Sequence, residues 1–235
     1  MVRICYGSAE GAEYCTMPFS TGSAANVDSV DGLRVIGLTG GMGVGKSVVS
    51  GILRSLGHSV YDADSAAKSL YDRDDDLLEV VRCRFGDGIL TPEGRLNRVA
   101  LAHVVFADSS ALNDLNALVH PAVARDFAGW RDGLGTEGVR LVFREAAILF
   151  ESGSHRDCDA VWGVKAPNGL RIQRVRDRSG LAEAEVRQRM ARQWSQEDVM
   201  AACDAVIVND GVEPLVLQVL SLLDNLSPSR QRSGS

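Results

Sequence analysis

A glycine-rich turn between an apolar run and an amphipathic stretch is the tightest constraint in this sequence. Gly40, four further residues and Gly45-Lys46-Ser47 match the pattern GxxxxGK[ST]. The preceding run "LRVIGLT" (33–39) is short and partly β-branched, which predicts a buried parallel strand. From Lys46 to Leu56 the apolar spacing is helical, and Gly57 stands where a helix would stop. "HSVYD" (58–62) then reads as a second strand. Strand, glycine turn, helix and strand make a βαβ unit with a right-handed crossover. A chain with 24 glycines can match the glycine pattern by chance, but chance does not supply the strand before it and the helix after it.

This pattern serves phosphate. Glycines let the backbone turn several N–H groups inward, and the start of the next helix adds a favourable field. Residues Gly41, Met42, Gly43, Val44, Gly45, Lys46, Ser47 and Val48 are the candidate ATP-binding loop. Lys46 is expected to reach the β- and γ-phosphates, and the Ser47 hydroxyl to ligate Mg²⁺. The motif specifies a nucleoside triphosphate and little more.

The rest of the chain alternates. Helical patterns follow at 98–107 and 111–130, the second carrying a stripe of Leu112, Leu115, Leu118, Val119, Ala122 and Val123. No strand is expected between about 63 and 137, so this region reads as a helical insertion beside the sheet. Strands return at 139–143, 159–165 and 204–209, with helices at 168–178, 181–193, 195–202 and 212–225. Such alternation predicts a parallel sheet covered on both faces.

With 235 residues, one α/β domain with insertions is the expected scale. A net charge of −6 argues against a protein that coats nucleic acid or anionic lipid, though not against a local basic pocket. The cysteines (Cys5, Cys15, Cys83, Cys158 and Cys203) show no CxxC pair, so neither a disulfide framework nor a zinc site is expected, and a reducing cytoplasm fits. No apolar run is long enough to cross a membrane. Residues 1–32 are rich in Gly, Ser and Ala and read as a disordered extension, with Met17 an alternative start. The tail from 227 to 235 reads the same way. Nothing in the sequence marks an oligomeric state.

Two features separate phosphoryl transfer from switching. "YDAD" (61–64) ends the second strand, and in a parallel α/β sheet the functional crevice lies at the carboxyl ends of the strands. Asp62 and Asp64 then stand beside the phosphate loop, where a carboxylate can orient an acceptor hydroxyl and take its proton. The plainer reading of Asp64 is a helix N-cap. Secondly, Arg171, Arg174 and Arg178 fall on one helix face and can close over phosphates, or be merely solvated. There is no NKxD motif, which weighs against a guanine-nucleotide switch. A shikimate- or nucleoside-type kinase stays open, as does a non-transferring nucleotide switch.

The series "GLTGGMGVGKS", "YDAD", "GRLNRVALAHVVF", "LNALVHP", "ILFE", "RIQRVRDR" and "CDAVIVNDG" resembles the dephospho-CoA kinase family over roughly residues 33–226. The resemblance implies an α/β, three-layer P-loop NTPase fold with a five-stranded parallel sheet. The core would be about 33–63 and 138–226, the helical acceptor-binding insertion about 64–137 and the lid about 168–193. It implies transfer of the ATP γ-phosphoryl group to the ribose 3′-hydroxyl of dephospho-CoA, with Mg²⁺. By position, Asp64, Lys46 and Arg178 are the candidate catalytic residues. Asp62, Asp64, Lys68, Arg98 and His120 fall in the acceptor region, and Arg174 and Asn209 on the ATP side, with Asn209 near the base. Mg²⁺ would be held by Ser47, with Asp64 acting through water. His120 before Pro121 can equally mark a helix kink, and Arg98 and Lys68 can equally be surface charges. "DRDDD" (72–76) reads as a solvated helix start. The chain departs from the family at Ala147, where a proline is common, and at Arg171, where a glutamine is common. Glu151 is retained, and Glu145 stands at a strand end where its carboxylate can bear on the site.

Overall fold

In the computed structural model, which describes residues 32–226, five parallel strands carry the fold. They are β1 (Arg34–Thr39), β2 (Ser59–Asp62), β3 (Leu141–Glu145), β4 (Ala160–Lys165) and β5 (Ala205–Val208). Their order across the sheet is β2-β3-β1-β4-β5, so the strand that feeds the glycine loop is central. Side chains alternate across a strand, and both faces of this sheet are covered, which is why β1 reads as a continuous apolar run. Ile36 and Leu38 pack with Phe143, Trp162 and Ile207 on one face. Val35, Tyr61, Val142 and Val161 pack on the other.

Helices α1 (Lys46–Ser55) and α9 (Leu215–Leu226) cover the first face. The second is covered by α2 (Ala63–Arg73), α3 (Asp75–Phe85), α4 (Arg98–Ala107) and α5 (Ser109–Thr136), all lying between β2 and β3. Among the described residues this stretch contains no strand, only an isolated Leu90–Leu96 bridge. The starts of α2, α3, α4 and α5 are each capped by a side chain. Asp62 accepts from Ser65 N–H, Asp74 from Leu77 N–H, Asn97 from Ala100 N–H and Asp108 from Ser110 N–H. Asp75 and Asp76 then sit in the first turn of α3, where the helix dipole favours them. The acidic run is thus a helix boundary, as expected.

Three of the shifts from the expected boundaries bear on the packing. α5 runs to Thr136 and passes through Pro121, because packing of its apolar stripe outweighs the missing proline N–H. β3 is displaced by two residues, since pairing Arg34 with Leu141 and Leu38 with Glu145 draws Arg144 and Glu145 into the strand. Arg144 is consequently 1% exposed; its guanidinium donates to Asp157 at 2.9 Å and lies over the Phe127 ring at 4.4 Å. α9 starts at Leu215 rather than 212, after a turn in which Asp210 accepts from the N–H groups of Val212 and Glu213. The stretch expected as a lid, about 168–193, holds α6 (Asn168–Ser179) and α7 (Glu183–Met190), and α8 (Gln196–Ala201) follows it. The readings of the termini, Gly32 apart, fall outside the described residues.

Gly37 lies mid-β1, where a Cβ would come within 2.6 Å of Leu149 Cδ2 and 3.2 Å of Cys158 Sγ. Gly37→Val is expected to destabilise the fold by about 1–3 kcal/mol through overpacking. Urea unfolding should show a lower midpoint with an unchanged slope. A wild-type midpoint would mean that the 146–158 segment yields at no cost.

Candidate active site

The carboxyl ends of β1, β2 and β3 meet at one edge of the sheet. β1 runs directly into the glycine loop, and the register pairs Leu38 with Glu145 and Asp62 with Glu145. Gly43 (φ +79°) and Gly45 (φ +94°) adopt backbone conformations that side-chain-bearing residues avoid, which turns the loop into the first turn of α1. Neither can carry a side chain: a Cβ at Gly43 would strike the Arg171 backbone, and one at Gly45 would strike the Asn209 carboxamide.

Lys46 opens α1 and donates from Nζ to Gly40 O at 2.7 Å. Burial pushes its pKa down, Asp64 and Glu145 push back, and Arg171 and Arg178 add to the lowering. Ser47 is exposed in the first turn of α1. One turn further, the buried Ser50 hydroxyl donates to Glu145 Oε2 at 2.6 Å, locking α1 onto the end of β3. Val48 presents its side chain to solvent, and its N–H donates to Gly45 O at 3.0 Å.

The two aspartates divide their tasks. Asp62, not Asp64, is the N-cap of α2: its carboxylate accepts from Ser65 N–H at 2.9 Å and from Ser65 Oγ–H at 2.7 Å. The capping role weighed for Asp64 therefore falls to its neighbour. Asp64 sits in the first turn, reached by solvent yet crowded by protein. Lost hydration raises its carboxyl above the ordinary range. Lys46 works against that rise, Asp62 reinforces it, and Lys68 and the Ala147 N–H, which donates to the carboxylate, oppose it.

The lid arginines are not three free cations. Arg171 is buried, donating from Nε to Met42 O at 3.0 Å and from Nη1 to Asn168 Oδ1 at 2.9 Å. Arg174 donates to Asn209 Oδ1 at 3.1 Å, and the buried Asn209 donates in turn to Val44 O at 2.8 Å. The Asn209 side chain thus braces the loop instead of standing free for a nucleotide base. Arg178 alone of the three is exposed, near enough to Lys46 to affect its charge. Gln193, which no sequence signal singled out, accepts from the Met42 N–H at 2.9 Å.

The family model described as dephospho-CoA kinase matches residues 34–214. The chain belongs to the dephospho-CoA kinase family. It is 42% identical to the dephospho-CoA kinase of Methylococcus capsulatus, over 75% of this chain and 88% of that one. It is 41% identical to the Geobacter sulfurreducens enzyme, over 76% and 91% of the two chains. A solved structure from Thermus thermophilus superposes with a TM-score of 0.71 at 34% identity, covering 83% of this chain and 99% of that one. Dephospho-CoA kinase from Campylobacter jejuni, at 24% identity, shares the fold with a TM-score of 0.60 over 82% and 96% of the chains. Membership in this kinase family sets aside the shikimate-type, nucleoside-type and switch readings.

The remaining candidates lie at different distances from the chemistry of a dephospho-CoA kinase. Lys68 acts on Asp64 through its charge, and its carbonyl accepts from Arg98 at 2.9 Å. Arg98 opens α4 and also pairs with Asp72 at 2.7 Å, so it ties α4 to α2. His120 is half-buried in α5, and burial, then the Arg144 charge, lowers its pKa and favours the neutral ring. Among the described residues no group of three or more His, Cys, Asp or Glu side chains could hold a metal.

Asn209→Ala removes the brace shared by Val44 and Arg174. The expected cost is about 1–3 kcal/mol for the buried polar groups left unpaired. Calorimetry should show a lower Tm, and titration should show weaker ATP binding. Loss of stability with unchanged ATP affinity would mean that the loop holds its shape unaided.

Proposed function

We propose that this chain transfers the γ-phosphoryl group of ATP to the ribose 3′-hydroxyl of dephospho-CoA, with Asp64 as the base. The observation that carries the assignment is the placement of Asp64. It is released from capping by Asp62 and stands in the electrostatic reach of Lys46 at the strand ends. A carboxyl whose pKa is raised is a stronger base than an ordinary one. In the transfer, Asp64 takes the 3′-hydroxyl proton as that oxygen bonds to the γ-phosphorus, and the bond to the ADP oxygen breaks. Lys46 leaves Gly40 O for the β- and γ-phosphate oxygens, and Arg178 offsets charge from the lid side. Residues Gly41–Val48 hold the triphosphate, and Arg174 and Asn209 keep that loop in shape. Asp62, Lys68, Arg98 and His120 line or support the acceptor side.

The donor set suits Mg²⁺, which keeps several waters and takes one or two protein ligands beside the nucleotide phosphates. Ser47 would hold it directly and Asp64 through water, and the ion would neutralise phosphate charge. The partners are then two small molecules, ATP and dephospho-CoA, with neither nucleic acid nor membrane involved, and the working compartment is the cytoplasm. No described helix is long and apolar enough to cross a membrane.

Purified protein with ATP and Mg²⁺ is expected to release ADP when given dephospho-CoA, and not when given shikimate, nucleosides or water alone. ADP release independent of dephospho-CoA overturns the reading. Asp64→Asn should lose about 10²–10⁴-fold in rate, the range for a positioned base, with ATP binding by titration retained. Normal turnover in that variant would place the base elsewhere.

The raised carboxyl also has a thermodynamic sign. A folded-state pKa above the unfolded value of about 3.9 means that the fold loses stability as pH rises through the window between them. Asp64→Asn should therefore unfold at a higher temperature than wild type near pH 7, and gain less at pH 3–4. Calorimetry at both pH values reads this directly. A lower Tm for the variant at pH 7 would mean that Asp64 stabilises the fold.

A further inference from the structure

Trp194 is half exposed, at 50%, although large aromatic side chains are usually mostly covered. It is not a loose surface residue. Its indole lies nearly parallel to the Phe150 ring, with centroids 6.0 Å apart and an interplanar angle of 8°. Its N–H backbone group donates to Glu151 Oε1 at 3.2 Å. The preceding residue, Gln193, accepts from Met42 N–H in the phosphate loop. Opposite, Arg192 lies 5.6 Å from the centroid of the exposed Phe106 ring at the end of α4. One face of a fixed indole is covered by Phe150, and the side chain as a whole stays open to solvent.

The segment after β3 sets where this indole stands. Ala147 donates its backbone N–H to the Asp64 carboxylate. Three residues on, Phe150 stacks on Trp194, and Glu151 holds the Trp194 backbone. One short turn therefore touches the candidate base at one end and the indole at the other. The acceptor proposed above carries its reacting hydroxyl and its adenine on the same ribose. Whatever binds that adenine must lie within one nucleoside of Asp64.

We propose that Trp194, backed by Phe150, is the stacking platform for the adenine of dephospho-CoA and a specificity determinant for a purine-bearing acceptor. Aromatic faces hold bases by stacking at a worth well above ordinary contact. Anchoring at Glu151 and Met42 preorganises the platform, so little side-chain freedom is lost on binding. The inference rests on the acceptor reading given above.

The test is steady-state kinetics with each substrate varied, together with tryptophan fluorescence. Trp194→Leu should raise the KM for dephospho-CoA about ten-fold, within the range for loss of one base stack, while the KM for ATP holds. Trp194→Phe should recover most of the loss. Dephospho-CoA added without ATP should quench the emission of wild type, and that quench should vanish in Trp194→Phe, where Trp130 and Trp162 still emit. Equal KM values in wild type and Trp194→Leu, a parallel rise in both KM values, or an undiminished quench in Trp194→Phe would overturn the platform. Wild type inactive with dephospho-CoA would instead overturn the acceptor reading beneath it.

Discussion

The phosphate loop holds its shape because distant side chains have claimed its backbone. Loops of this kind present N–H groups to a ligand, and their carbonyls must be satisfied elsewhere. Here Met42 O takes Arg171, Val44 O takes Asn209, and Gly40 O takes Lys46 itself. The braces come from α6 and from the residue just after β5, so the lid helix and the sheet edge converge on six residues. Glycine at 43 and 45 is as much a matter of this close approach as of backbone conformation, since the braces occupy the space a side chain would need.

The division between Asp62 and Asp64 rests on the same economy of polar groups. A helix start leaves N–H groups without partners, and Asp62 satisfies one of them at the start of α2. That leaves the Asp64 carboxylate to the Ala147 N–H, the charges of Lys46 and Lys68, and its acidic neighbour Asp62. Crowding raises its pKa, and Lys46 keeps the rise in check. The candidate base and the lysine of the loop thus each offset part of the other's pKa shift.

Much of this was legible in the sequence because it is local. The glycine loop and the acidic turn are written in consecutive residues, and five strands emerged near their observed places. What stayed hidden is long-range. Nothing local says that Asn209 will donate to Val44, 165 positions away, or that Gln193 will meet Met42. Arg171 reads as a surface cation on helical spacing, and only the fold shows its head group spent on the loop. Arg144 falls just beyond the expected strand at 139–143, yet pairing with β1 draws it into β3 and buries it beneath α5. The helical insertion was legible as helices, the passage through Pro121 included, but α5 continues past the expected end at 130 to Thr136.

The Asn209 brace has a temporal side as well. The motif for phosphate is complete at Ser47, but the side chain that steadies it lies 165 positions beyond Val44. A growing chain carries a recognisable loop for most of its synthesis without the clamp that gives the loop its working form. The braced form of a local motif therefore depends on β5 taking its place beside β4, so the loop's shape belongs to the whole fold.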